Sequence, residues 1–137
     1  MKERLMAAAL MAMQHAYAPY SSFCVGAALL CEDGSIYTGC NVENASYGAT
    51  ICAERTALVK AVSEGKRRFC ALAICGGKDG VLNDKPCVPC GVCRQMLSEF
   101  CDADFEVYLI TNRAAQTVRL GELLPMGFTG DILAKTH

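Results

Sequence analysis

Two short stretches concentrate the reactive side chains of this sequence: Thr50-Ile51-Cys52-Ala53-Glu54-Arg55 and Pro89-Cys90-Gly91-Val92-Cys93-Arg94. Between them they offer three thiols and one carboxylate. Thiolates suit borderline-soft divalent metals such as zinc. A site with three protein ligands keeps a fourth position where a water can be bound and acidified, whereas four protein ligands close it. On a helix, residues i and i+2 do not share a side face, so Cys52 and Glu54 reach one metal only if it sits off a helix end. The second stretch fits the same geometry, because Pro89 precedes a segment in which Val92, Met96 and Phe100 recur at helical spacing. Two helix N-termini aimed at one thiolate cluster would also offset its negative charge, since each carries about half a positive charge. Arg55 lies three residues past Cys52 on the same helix face, where it can support the cysteines from behind; a solvated arginine is the alternative.

The spacing leaves one ambiguity. Pro-Cys-x-x-Cys occurs twice in overlapping registers, at Cys87/Cys90 and at Cys90/Cys93. The second is favoured because Pro89 would start the helix at Cys90, while the first leaves one ligand in a proline-bounded loop. Cys87 as a fourth ligand would make the chain a structural zinc module, and C-x-x-C at a helix start also lowers thiol pKa, which allows a thiol redox protein. Glu54 beside the thiols favours an enzyme.

Zinc deaminases carry the signature H-x-E followed by P-C-x-x-C. This chain reads Cys52-Ala53-Glu54 and Pro89-Cys90-Gly91-Val92-Cys93, with cysteine where the signature has histidine. In this all-cysteine form it resembles the short cytidine deaminases that act on free nucleosides. The likeness runs from Tyr17-Ala18-Pro19-Tyr20-Ser21 through Asn41-Val42-Glu43-Asn44-Ala45-Ser46-Tyr47-Gly48 to Leu123-Leu124-Pro125, nearly the whole chain. The resemblance implies hydrolytic deamination of cytidine and 2′-deoxycytidine with release of ammonia. It implies Zn2+ on Cys52, Cys90 and Cys93, one ion per subunit, with Glu54 as base and then acid. It also implies a homotetramer with active sites at subunit contacts. Phe23 and Phe128 match phenylalanines that pack on the pyrimidine, Phe128 arriving from a neighbouring subunit, and Tyr47 is a further candidate to cross that boundary. Asn41 and Glu43 match the pair that holds the ribose hydroxyls. Side chains of a strand alternate with period two, so these two share a face, where an amide beside a carboxylate suits vicinal hydroxyls. The Ala53 N–H, at the helix start, is placed to orient the base. Deamination of a cytosine nucleoside antibiotic is the nearer rival, and Asn41-Val42-Glu43-Asn44 argues for the ordinary nucleoside.

Composition narrows the partners. A chain of 137 residues makes one domain, 1–137, with a substantial core. Net charge is −1 and the one basic cluster is Lys66-Arg67-Arg68, so the positive face that a nucleic acid polymer requires is missing; those three residues are expected to offset a helix C-terminal dipole. The N-terminus shows no signal peptide and the chain no membrane-spanning apolar run, which predicts a cytoplasmic protein whose ten cysteines stay reduced. Cys24, Cys31, Cys40, Cys70, Cys75 and Cys101 are expected to fill the core.

The elements that must position the site follow from periodicity. Met6, Leu10, Met13 and Tyr17 predict an amphipathic helix ending ahead of Pro19, with His15 inside it; neither His15 nor the terminal His137 reads as a ligand. Phe23 to Cys31 and Ile36 to Glu43 predict a hairpin turning at Asp33-Gly34. Thr50 is the expected cap of the first metal helix, with Ile51, Leu58 and Val62 as its apolar face and Gly65 as its stop. Phe69 to Cys75 reads as a central strand, Gly76 to Pro89 as a loop, Phe105 to Ile110 as a strand, and Thr117 to Leu120 as a short last strand. Strands alternating with helices imply an α/β fold, a three-layer α/β/α domain with a mixed sheet; the resemblance gives that sheet five strands.

Overall fold

The computed structural model describes residues 1–133; His137 lies outside them. One mixed sheet of five strands organises the chain, in the order β2-β1-β3-β4-β5. β1 (Phe23–Cys31) and β2 (Ile36–Cys40) form an antiparallel hairpin, and β1 pairs antiparallel with β3 (Phe69–Lys78) on its other side. β3 runs parallel to β4 (Glu106–Ile110), which pairs antiparallel with β5 (Ala115–Arg119). The sheet is the five-stranded mixed one that the resemblance implied.

Alternation along the strands builds two cores. On one face Ala28, Ala71, Ala73, Cys75 and Ile110 meet Leu5, Ala9 and Met13 of α1 (Lys2–Met13). On the other, Ala27, Leu29, Leu72, Ile74, Val107 and Leu109 meet Ala53, Ala57, Leu58 and Ala61 of α2 (Ala53–Ser63) and Leu97 of α3 (Gly91–Phe100). A short α4 (Leu120–Leu123) follows β5.

Two glycines set how closely the helices approach. A Cβ on Gly26 would stand 2.1 Å from the Ala9 carbonyl oxygen, and one on Gly39 would stand 2.5 Å from the Ala53 carbonyl oxygen and 2.6 Å from the Ala57 nitrogen. Both obstacles are backbone, so a side chain at Gly39 must push the whole first turn of α2 off the sheet. Gly39→Ala is therefore expected to lower the unfolding free energy by about 1–3 kcal/mol. Urea unfolding measures this, and a change below about 0.5 kcal/mol, the range of a neutral surface change, would contradict the close approach.

The same approach corrects several expectations. The buried stripe of α1 is Leu5, Ala9, Ala12 and Met13, while Leu10 is exposed and Tyr17 falls beyond the helix end at Met13. Small residues win the sheet-facing side because Gly26 lets the helix backbone touch β1. His15 sits in the turn after α1 and is exposed. The cap of α2 is Cys52, not Thr50, whose hydroxyl instead accepts the Asn44 N–H at 3.1 Å. Ile51 is partly exposed and Ala53, Ala57 and Ala61 take its place in the core. On α3 the buried positions are Cys93 and Leu97, with Val92 exposed. β2 ends at Cys40, beyond which Val42 bridges Tyr17 and Ile51, and β3 runs on through Gly76 and Gly77 to Lys78. Cys70 is exposed, because it lies at the outer end of β3. Gly65, at φ +96°, closes the end of α2, where Arg67 donates to the Val62 carbonyl at 2.8 Å and Lys66 pairs with Asp33 at 2.7 Å.

Candidate active site

Cys52 and Cys90 are the N-cap residues of α2 and α3, and Cys93 sits one turn into α3. Cys52 and Cys90 are themselves extended, and the carbonyl of each accepts the first i to i+4 N–H of its helix: Thr56 to Cys52 at 3.0 Å and Arg94 to Cys90 at 2.9 Å. The sulfur atoms of Cys52, Cys90 and Cys93 all lie within 4.8 Å of one another. Cys52 Sγ is 3.7 Å from Cys90 Sγ, and Cys90 Sγ is 3.5 Å from Cys93 Sγ. A tetrahedral zinc with bonds of about 2.3 Å to sulfur separates its thiolates by roughly 3.8 Å, so these thiols fit that ion. Cys87 is not in the group. Its thiol lies against the position that a Cβ on Gly76 would occupy, beside the Phe23 ring, and burial pushes its pKa up to about 12. The register Cys90/Cys93 is the one the fold assembles.

The electrostatics of the cluster follow from the contacts among the thiols and from Arg55. Cys52 is lowered to about 5, first by a hydrogen bond from Cys93 and also by the Arg55 guanidinium. Cys93 moves the opposite way, because it keeps the proton that the pair shares and is buried. Arg55 donates from Nη2 to the Thr50 carbonyl at 2.8 Å, its buried Nε has no hydrogen-bond partner, and its positive charge favours the Cys52 thiolate. Arg55→Gln is expected to weaken zinc binding about 10- to 100-fold, read by titration against a chromogenic chelator; unchanged affinity would return Arg55 to a packing role.

Glu54 follows Cys52 by two residues and is buried at 5 % exposure. Burial is the main force that raises its pKa to about 7, and the negative charge on Cys52 adds to it, while contact with the Cys93 thiol works the other way. A carboxyl that exchanges its proton near neutrality suits general acid–base chemistry.

Residues 1–109 match the family model of the cytidine and deoxycytidylate deaminase zinc-binding region. The chain belongs to this deaminase family. It is 47 % identical over 133 residues to a cytidine deaminase of Sporosarcina psychrophila, covering 96 % of this chain and 94 % of the relative. It is 48 % identical over 131 residues to one from Halalkalibacterium halodurans, covering 95 % of this chain and 96 % of the relative. Among solved structures, cytidine deaminase from Burkholderia pseudomallei superimposes with a TM-score of 0.84 at 44 % identity, covering 93 % of this chain and 99 % of that one. The deaminase family is a zinc-binding one, and the thiols of Cys52, Cys90 and Cys93 are the group in this chain that could hold the ion.

The remaining expected site residues are spread over α2, the segment after β2 and the C-terminal segment. Ala53 is fully buried at the first position of that helix. Asn41 is buried and its amide is doubly engaged with β1, accepting the Val25 N–H at 2.9 Å and donating to the Phe23 carbonyl at 2.8 Å. That leaves one N–H and one lone pair for another molecule. Asn41→Ala is accordingly expected to cost about 1–3 kcal/mol of stability, because buried backbone groups of β1 lose their partners; a melting temperature within a degree of the parent would contradict it. Glu43 and Tyr47 line one open cavity of about 330 Å³ with Tyr20, Ser21, Asn44 and Thr50. Tyr47 is 78 % exposed and meets Tyr20 edge to face, with ring centroids 6.5 Å apart. Phe128 is also exposed, and its carbonyl accepts from Gln95 of α3 at 2.8 Å. A larger cavity, about 610 Å³, lies elsewhere, between the end of α3 and the C-terminal residues from Leu120 onward, and none of the three thiols lines it. Arg94 is a further residue that braces the site, donating to the carbonyls of Pro89 at 2.7 Å and Leu123 at 2.8 Å. It thereby ties the loop that carries Cys90 to the chain beyond β5. Its only signal in the sequence was adjacency to Cys93.

Proposed function

We propose that this chain hydrolytically deaminates cytidine and 2′-deoxycytidine to uridine and 2′-deoxyuridine with release of ammonia, a reaction of pyrimidine salvage. The observation that carries the reading is Glu54, a buried carboxyl with a pKa near neutrality, held against a cluster of three thiols at two helix ends. Zinc, when bound by Cys52, Cys90 and Cys93, supplies a Lewis acid that brings the pKa of water from 15.7 toward about 7. Glu54 takes a proton from the attacking water and gives it to the ring nitrogen N3, then takes the proton of the new C4 hydroxyl and gives it to the departing amine, so that a single carboxyl acts as base and acid in turn. Water adds at C4 and ammonia leaves. The Ala53 N–H orients the base, Phe23 packs on its ring, and Asn41 and Glu43 hold the sugar hydroxyls.

The chain acts as a single domain, 1–137, and as a homotetramer in the cytoplasm, with Tyr47 and Phe128 contributing across subunit boundaries. Their exposure, 78 % and 54 %, supports that role by leaving both rings accessible to a neighbouring subunit. Among the described residues no helix is long and apolar enough to cross a membrane. Incubating the zinc-loaded protein with cytidine and following the absorbance loss as uridine forms tests the reading. Steady conversion is expected, and no turnover by fully metallated protein would overturn it.

A further inference from the structure

The loop between α1 and β1 does more than connect them. The Tyr20 and Ser21 backbone N–H groups both donate to Glu43 Oε1, at 2.9 and 3.1 Å. The Ser21 hydroxyl donates to Glu43 Oε2 and accepts the Phe23 N–H at 3.0 Å. Ser22 completes the turn in the left-handed region, at φ 62°, where non-glycine residues are uncommon. It is held there from both sides, its N–H donating to the Ala18 carbonyl at 3.0 Å and its carbonyl accepting from Asp79 at 2.7 Å. Strain of this kind persists where surrounding bonds over-determine it, and it clusters at functional sites. Phe23 in turn receives the Asn41 amide on its carbonyl. One hydroxyl therefore joins the Glu43 carboxylate to the backbone of Phe23, and the bonds run on to Asn41.

We propose that Ser21 is a positioning residue for nucleoside binding, its hydroxyl fixing the Glu43 carboxylate so that one oxygen, Oε2, keeps a lone pair directed at a sugar hydroxyl. This rests on the reading that Glu43 holds the sugar. The count of acceptor sites supports it. An ionised carboxylate has about four; Oε1 spends two on backbone N–H groups and Oε2 spends one on Ser21. Only Oε2 can then accept from a ligand. Rotation of the carboxylate about its last torsion, which is broad when unrestrained, is stopped by the Ser21 bond. These donors also hold Glu43 well ionised, with a pKa below its ordinary value, chiefly through the Ser21 hydroxyl.

Glu43 meets the sugar equally in the ground and transition states, so loss of its orientation should appear in KM and not in kcat. The test compares Ser21→Ala, Ser21→Thr and Glu43→Gln, using cytidine and 2′,3′-dideoxycytidine, which lacks the vicinal 2′- and 3′-hydroxyls. Ser21→Ala should raise KM for cytidine roughly tenfold, the worth of one charge-assisted hydrogen bond, change kcat less than twofold, and leave KM for the dideoxynucleoside as in the parent. Ser21→Thr keeps the hydroxyl and should restore the parent KM, since position 21 is exposed and the extra methyl has room. Glu43→Gln should abolish the preference for cytidine over the dideoxynucleoside. If Glu43→Gln shifts that preference while Ser21→Ala leaves KM for cytidine unchanged, or raises both KM values alike, the positioning role is wrong and Glu43 remains the sugar contact. If Glu43→Gln leaves the preference intact, the sugar reading fails and the role of Ser21 fails with it.

Discussion

Glu54→Gln is expected to reduce kcat for cytidine by about 10³- to 10⁴-fold, near the upper end of what one general acid–base group contributes, while zinc content stays at the parental level. The substitution is nearly isosteric and keeps a polar group at a buried position, so the packing of α2 on the sheet survives it. What it removes is the carboxyl that can lose and regain a proton near neutrality, raised to about 7 mainly by burial. No other carboxylate is buried among the described residues, and none lies beside the thiols to substitute for it. Parallel measurements of turnover and of bound metal separate this from a structural zinc site, in which Gln would be silent. Retention of more than about a tenth of parental kcat, less loss than a general acid–base group accounts for, would remove Glu54 from the chemistry.

The second large effect concerns the thiols themselves. Cys93→Ser is expected to lower zinc affinity by more than about 100-fold, beyond the loss typical of residues that only support a ligand, and to abolish turnover with it. Cys87→Ser should leave both at parental values. The contrast follows from geometry and charge together. Cys93 Sγ is 3.5 Å from Cys90 Sγ within the trio, whereas Cys87 is turned toward Gly76 and kept protonated by burial at a pKa of about 12. Metal analysis of the purified variants decides it, and loss of zinc from Cys87→Ser would require a closed four-thiol site.

The parts of the site that were legible in the sequence are those whose chemistry is local. Cys52-x-Glu54 and Cys90-x-x-Cys93 declared a metal at helix ends, because the spacing admits no other way for those side chains to meet. The hairpin was readable for the same reason: Phe23–Cys31 is apolar throughout, and Asp33-Gly34 supplies the turn, with Gly34 at φ 92°. What stayed hidden depends on partners distant in the chain. The stripe of α1 could have been Met6-Leu10-Met13 or Leu5-Ala9-Met13, and Gly26 on β1 decided it by admitting the helix backbone at Ala9. Thr50 has the better capping side chain, yet its hydroxyl is taken by the Asn44 N–H, and the cap passes to Cys52. Ser21 carries no signal of its own, because its bond to Glu43 spans 22 residues. Local propensity lost to tertiary packing at each of these positions.

Zinc-edge X-ray absorption on the protein as purified tests most directly whether the thiol site is open. A first shell with a sulfur count of three, unchanged in Cys87→Ser, is the result expected from the grouping of Cys52, Cys90 and Cys93. A sulfur count of four, falling to three in Cys87→Ser, would mean that the metal is closed off by protein and that Glu54 has no reaction to serve.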